Sequence, residues 1–191
     1  MNNMKKLPGR GNQTGFTLIE LIITLVVGAI LMAVAVPSFK EFLRQSQLTT
    51  QTNDFLAAIN VARSESVKRS SSITVCASAD NSAPTPTCDG AAWDDGWIVF
   101  TDPDKDDTLD AGEVLLVSHD PLDDASTFVN NGSVDNGNTA IMEFHFVSRG
   151  IVELPGTNPT TFTSAVAGIS NVRCISLNYA GRPDVLPTAC P

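Results

Sequence analysis

From position 21 to position 36 the chain reads LIITLVVGAILMAVAV, an apolar run without a single charge. With FTLIE in front, the run covers residues 16–36. That is about 30 Å of helix at 1.5 Å rise per residue, the hydrocarbon thickness of a bilayer. A soluble cytoplasmic enzyme is hard to reconcile with such a block. Lys5, Lys6 and Arg10 precede it, and no acidic residue occurs in the first 15 positions. The positive-inside rule therefore puts the N-terminus in the cytoplasm and everything after Pro37 outside it.

A cleaved secretory signal shares the basic start, the apolar run and an Ala-x-Ala site, here Ala33-Val34-Ala35. Two features oppose that reading. Glu20 lies inside the run, where an unpaired charge costs about 2.5–3.5 kcal/mol. Helical patterning also continues beyond the would-be cleavage site. Phe39, Phe42 and Leu43, then Phe55, Leu56, Ile59 and Ala62, recur at three- and four-residue steps, with Lys40, Arg44, Gln51, Arg63 and Lys68 between them. Pro37 removes one backbone donor and is expected to kink the helix without ending it. The spacing predicts one helix over residues 16–69, about 80 Å long. It divides into a transmembrane half at 16–36 and an amphipathic half at 37–69 that carries a domain on its apolar face.

Gly15-Phe16-Thr17-Leu18-Ile19-Glu20, with a short basic leader before it and an apolar helix after it, resembles the type IV pilin and pseudopilin signature. The resemblance implies that residues 1–15 are a leader, cut off by a prepilin peptidase between Gly15 and Phe16. It also implies that the new N-terminal Phe16 is N-methylated. Glu20 would pair with the amino terminus of an adjacent subunit during filament assembly. The physics agrees, because cleavage creates an ammonium at the start of a helix, and within lipid that charge and a carboxylate offset each other.

Farther along, three stretches resemble the GspH/FimT branch of minor pilins. They are Trp93-Asp94-Asp95-Gly96-Trp97-Ile98-Val99-Phe100-Thr101-Asp102, the acidic stretch closing in Ala111-Gly112-Glu113-Val114-Leu115-Leu116, and Gly181-Arg182. That branch includes the H pseudopilin of type II secretion and the FimU and FimT minor pilins of type IV pili. The resemblance implies an α+β pilin fold. It implies a non-enzymatic subunit that initiates or caps a filament, with other pilin or pseudopilin subunits as partners. The chain would sit in the inner membrane as a single-pass protein, its C-terminal domain periplasmic, and then pass into a periplasmic or cell-surface filament.

After Arg69 the helical period fades. Short β-prone runs at 73–76, 97–101, 113–117, 141–147 and 172–177 are the expected strands. Gly150, Asn130-Asn131-Gly132, Pro155-Gly156 and Asn158-Pro159 punctuate them. Antiparallel sheets packed on the second half of the helix follow, so residues 70–191 form one β-rich globular domain.

Cys76, Cys88, Cys174 and Cys190 all lie beyond the membrane segment, which suits an oxidising compartment. Three connectivities are possible, and pairing nearest partners, Cys76 with Cys88 and Cys174 with Cys190, is preferred. A zinc site lacks support, because there is no Cys-x-x-Cys and no paired histidines. His119 is expected in a solvated turn and His145 on a strand face. No nucleophile–base set, phosphate-cradling glycine loop or metalloprotease helix is found, so no catalytic residue and no required cofactor are expected.

One constellation could hold an ion. Residues 102–113 read DPDKDDTLDAGE. Against the calcium-loop pattern, Asp102, Asp104 and Asp106 fill the three acidic positions, Thr108 offers a carbonyl, Asp110 a water-mediated contact and Glu113 the bidentate position. The glycine that the pattern wants at a positive φ is replaced by Asp107, and the flanks favour strands over helices. Calcium and a solvated acidic hairpin loop both remain open.

A binding role of another class is DNA capture, which some FimT-like members perform through a Gly-Arg-x-Arg motif. The corresponding stretch here is Gly181-Arg182-Pro183-Asp184, so the second arginine is an aspartate. From residue 70 onward only Lys105, Arg149, Arg173 and Arg182 oppose 17 carboxylates, a net of −13. Such a domain repels phosphate, and Arg182 is expected to pair with a neighbouring carboxylate.

Overall fold

The computed structural model describes residues 15–131, 133–134, 139–140, 142–153 and 160–190. The leader positions 1–14, Ile141 and the turn residues Gly132, Pro155, Gly156, Asn158 and Pro159 lie outside the described residues. Two compact units divide the chain, one ending at Lys40 and the other running Glu41–Pro191.

One helix, α1 (Leu18–Arg69), contributes to both units. Thr17 opens it as an N-cap, its Oγ1 accepting the Glu20 N–H at 3.3 Å. Helical structure continues through Pro37. At the other end Ser70 turns into the left-handed region at φ 51°, while the Ser71 N–H reaches Ser66 O at 3.3 Å and the Ser70 N–H reaches Val67 O at 3.4 Å. That pattern closes the orphan carbonyls of the last turn. Glu65 also pairs there with Lys68 at 2.9 Å and Arg69 at 2.6 Å. Within the first unit every described residue of α1 is exposed except the half-buried Gly28.

In the second unit burial on α1 begins at Leu48 and follows Gln51, Thr52, Phe55, Ala58, Ile59, Ala62 and Ser66, a single stripe at helical spacing. Phe42 and Leu43, expected on that buried face, are exposed instead, as is Phe39 of the first unit. Burial starts where the sheets begin to cover the helix, and the apolar pattern runs on beyond their reach.

The sheets are antiparallel. One has the order β3 (Leu115–His119), β2 (Trp97–Thr101), β1 (Ile73–Ala77), β7 (Glu143–Phe146) and β8 (Val152–Glu153). The other runs β11 (Pro183–Leu186), β10 (Val172–Leu177), β9 (Thr160–Val166) and β4 (Ser126–Asn130). A short ribbon pairs β5 (Ser133–Val134) with β6 (Thr139–Ala140). One core joins the α1 stripe to both sheets. At its centre the Phe55 ring lies 5.4 Å from both Trp93 and Trp97, 4.7 Å from Phe128 and 4.8 Å from Phe162.

The strands β4 and β9 were not anticipated from the sequence. Their burial alternates, but Ser126, Asn130, Thr160 and Ser164 fill many of the inward positions. Those polar groups are satisfied across the interface: Asn130 Nδ2 donates to Thr160 Oγ1 at 3.2 Å, and Gln51 Nε2 donates to Ser164 Oγ at 2.7 Å. Without an apolar alternation, the period-2 signal is invisible.

Candidate functional site

The N-terminal signature sits at the start of α1. Phe16 is 84% exposed, and Glu20 occupies the first turn, where the helix dipole favours a carboxylate. Thr17 escaped the sequence reading. With Glu20 three residues on, it has the spacing of a capping box, and its side chain fixes the first turn on which Glu20 stands.

The acidic loop joins β2 to β3 and covers the outer face of the first sheet. Alternation along β1 sends Ile73, Val75 and Ala77 into the core, and Thr74 and Cys76 to the other face. Thr74 stands opposite Phe100 on one side and His145 on the other, and Cys76 opposite Ile98 and Glu143. Leu109 packs onto Cys76, Ile98 and Phe100. Asp102 is fully buried beneath the loop. Its Oδ2 accepts the Thr74 hydroxyl at 2.6 Å and the Asp107 N–H at 3.2 Å, while Oδ1 accepts the N–H of Lys105 at 2.6 Å and of Asp106 at 3.3 Å. The first acidic position of the candidate ion loop is thus also its anchor.

The loop brings together Asp102, Asp104 and Asp106, with carboxylate oxygens within 4.8 Å of one another. Asp107 takes φ 62°, the left-handed conformation that the pattern reserves for glycine, and Lys105 takes φ 59°. Glu113 accepts the Asp110 N–H at 2.9 Å. Burial pushes the Glu113 carboxyl up, and repulsion from Asp102, Asp104 and Asp110 adds to it against that hydrogen bond. Thr108 donates its N–H to Asp106 Oδ1 at 2.9 Å.

His145 lies on its strand face with Nε2 3.1 Å from Asp107 Oδ1, so it ties the loop to β7. Its pKa is lowered by burial, with Asp107 acting in the opposite sense. The Asp107 carboxyl is raised by burial, and His145 acts against that. His119 does not occupy a solvated turn. It ends β3, and its ring stacks on Trp97 at 3.8 Å and 12°. The turn reading missed that contact because Trp97 and His119 are register partners across β2 and β3.

Both bridges join nearest partners, Cys76 to Cys88 and Cys174 to Cys190. Arg182 makes no ion pair among the described residues, against the expectation of a carboxylate partner; its N–H approaches Asn178 Oδ1 at 3.4 Å. Gly181 before it takes φ 67°, and a Cβ there would come within 2.5 Å of Gly150 O. Gly96, between the tryptophans, is equally constrained, with φ 116° and Asn81 Nδ2 only 2.3 Å from a Cβ. The glycines of both late motifs are therefore required by the fold.

Residues 51–181 match the family model of the type II transport protein GspH. The chain belongs to the GspH family. Residues 10–36 of this GspH-family chain separately match the prokaryotic N-terminal methylation motif. A similar protein is the prepilin peptidase-dependent protein D of Escherichia coli K12, 32% identical over 78 residues, which are 39% of this chain and 51% of that one. The chain spans about half the length of that relative. In fold it is similar to the type IV minor pilin FimU of Pseudomonas aeruginosa PAO1, with a TM-score of 0.51 at 20% identity over 76% of this chain and 92% of that one. The minor pseudopilin EpsH of the Vibrio cholerae type 2 secretion system gives 0.48 at 9% identity, over 74% and 97% of the two chains.

Proposed function

We propose that this GspH-family chain is a minor pilin or pseudopilin, a membrane-anchored structural subunit that enters a filament through α1 and helps to initiate or cap it. The observation that carries the reading is the juxtaposition at the start of α1. The Gly15-Phe16 pair of the methylation motif precedes a capped first turn bearing Glu20, and an exposed apolar run follows. Once a prepilin peptidase has cut after Gly15, the Phe16 ammonium of one subunit and the Glu20 carboxylate of another neutralise each other in lipid, where either alone is costly. The exposed Phe39, Phe42 and Leu43 extend the apolar surface that stacked helices would cover.

Mass spectrometry of the chain from cells with an active prepilin peptidase tests this. The expected mature start is an N-methylated Phe16. A start at Val36, or a retained leader, overturns the proposal. Glu20→Ala should be processed normally yet remain in the membrane fraction, absent from sheared filaments.

A second reading concerns the acidic loop, for which the left-handed Asp107 and the converging Asp102, Asp104 and Asp106 favour calcium as an accessory ion. Glu113, Thr108 and Asp110 would complete the set. Nothing favours DNA capture: the arginine pair is incomplete and the domain is strongly acidic.

A further inference from the structure

The outer face of the first sheet carries a set of ion-binding groups apart from the exposed carboxylates of the loop. Alternation along β7 sends Phe144 and Phe146 into the core and turns Glu143 and His145 to the side that the acidic loop covers. There Asp102 just past β2, Asp107 from the loop and His145 from β7 each offer one ligand atom, and the three atoms lie within 4.8 Å of one another. Asp102 is fully buried, and Asp107 and His145 are half-buried. The contact between the last two is not an ordinary imidazole–carboxylate bond. His145 Nε2 and Asp107 Oδ1 stand 3.1 Å apart, yet Oδ1, itself sealed from solvent, has no hydrogen-bond partner among the described residues. The ring N–H is therefore not aimed at that oxygen. Two ligands of one zinc-type ion, each about 2.0–2.2 Å from it, sit about 2.9–3.4 Å apart when the bond angle lies between a right angle and the tetrahedral value. The observed spacing is such an edge, without the alignment that a hydrogen bond requires.

We infer that Asp102, Asp107 and His145 bind a divalent first-row transition ion, with zinc the best fit. An imidazole nitrogen does not belong to the all-oxygen shell that calcium takes, whereas one nitrogen and two carboxylate oxygens suit zinc. Zinc has no d-electron preference for geometry, so it tolerates ligands from three separate segments. Asp102 has the seat usual for a ligating carboxylate, held by the Thr74 hydroxyl and the Lys105 N–H. The Lys105 ammonium pairs with Glu153 and with none of the three ligands. Bound there, the ion stitches the loop to two strands. The ligands share no short spacing in sequence, so a search for paired cysteines or histidines passes over them. The site goes beyond the filament reading and does not depend on it. It shares only Asp102 with the calcium set, whose Asp104 and Asp106 are exposed.

The test uses the full chain in detergent, stripped of metal, with zinc added in the presence of excess calcium. Equilibrium dialysis should find zinc bound in equal number to the chain. His145→Gln and Asp107→Asn should each weaken binding roughly a hundredfold, the upper end of what loss of a supporting group costs. Asp104→Asn/Asp106→Asn should change it less than about threefold, since exposed charges contribute little. The chain has two histidines, so histidine-selective isotope labelling reports ligation without any ligand variant. Zinc should shift the ring nitrogens of His145 and leave those of His119 in place. No zinc binding, no shift at His145, or an equal loss in the Asp104/Asp106 variant overturns the inference. Displacement of zinc by calcium also overturns it and assigns the loop to the calcium set. None of these outcomes bears on processing after Gly15 or on filament entry, by which the filament reading fails separately.

Discussion

Asp102 shows how much one side chain can hold. It is fully buried, and four donors from two chain segments converge on its two oxygens. Asp102→Ala should cost roughly 3 kcal/mol, because the Thr74 hydroxyl and the loop amides lose their acceptor together. Asp102→Asn, which keeps one oxygen, should cost less. Urea unfolding of the two variants measures both; a loss below about 1 kcal/mol for the alanine would mean that the carboxylate is not the anchor. His145 makes a pH prediction at the same scale. Its folded pKa is lowered by burial, so below its unfolded value of about 6.5 the unfolded chain binds the proton more readily and stability falls as pH falls. The raised Asp107 carboxyl acts in the opposite direction at lower pH, since the folded chain keeps that proton longer as pH rises above about 3.9. His145→Gln should therefore flatten the stability profile between about pH 5 and 6.5; an unchanged slope would assign it to other groups.

Elements differ in how plainly the sequence announces them. The helix was legible because an apolar run long enough to span a bilayer is followed by apolar residues at helical spacing up to Ala62, and its assigned end at Arg69 coincides with the loss of that period. The strands β1, β2 and β10 were legible as β-branched and aromatic runs. The strands β4 and β9 were not, because serine, threonine and asparagine face inward there and are satisfied only by tertiary partners such as Gln51. The acidic loop was legible as a ligand pattern. Its seat on Thr74, Cys76 and His145 was not, since sheet order decides which strand faces meet it. That seat gives the calcium reading a measurable form. An ion bound only to the folded loop stabilises it by mass action, about 2.7 kcal/mol at a hundredfold excess over its dissociation constant. Chelation of metal-loaded protein should lower the melting temperature by several degrees, and Glu113→Gln should reduce the shift. No shift with chelator would leave the loop as an ion-free hairpin anchored by Asp102.

At the scale of the whole molecule, charge is distributed against one class of ligand and in favour of another. The basic residues Lys5, Lys6 and Arg10 lie before the apolar run, whereas the region from residue 70 onward carries a net of −13. A net charge of that sign attracts cationic side chains and repels polyanions over a Debye length, about 30 Å at 0.01 M salt. DNA affinity arises from phosphate neutralisation, and each neutralised phosphate contributes to a steep fall in binding with salt. Arg182 offers one cation against this field, without the second arginine of the FimT-like motif. In a gel shift with the processed chain in detergent, neither single-stranded nor duplex DNA should be retained at micromolar protein, even at about 50 mM salt, where electrostatic binding is favoured. Replacing Asp184 with arginine would rebuild the motif locally, and still should not confer retention, because two charges remain far outnumbered. Tight, salt-sensitive retention by the unsubstituted chain would show that local geometry at Gly181-Arg182 outweighs the field of the domain, and would make the alternative of DNA capture the leading reading.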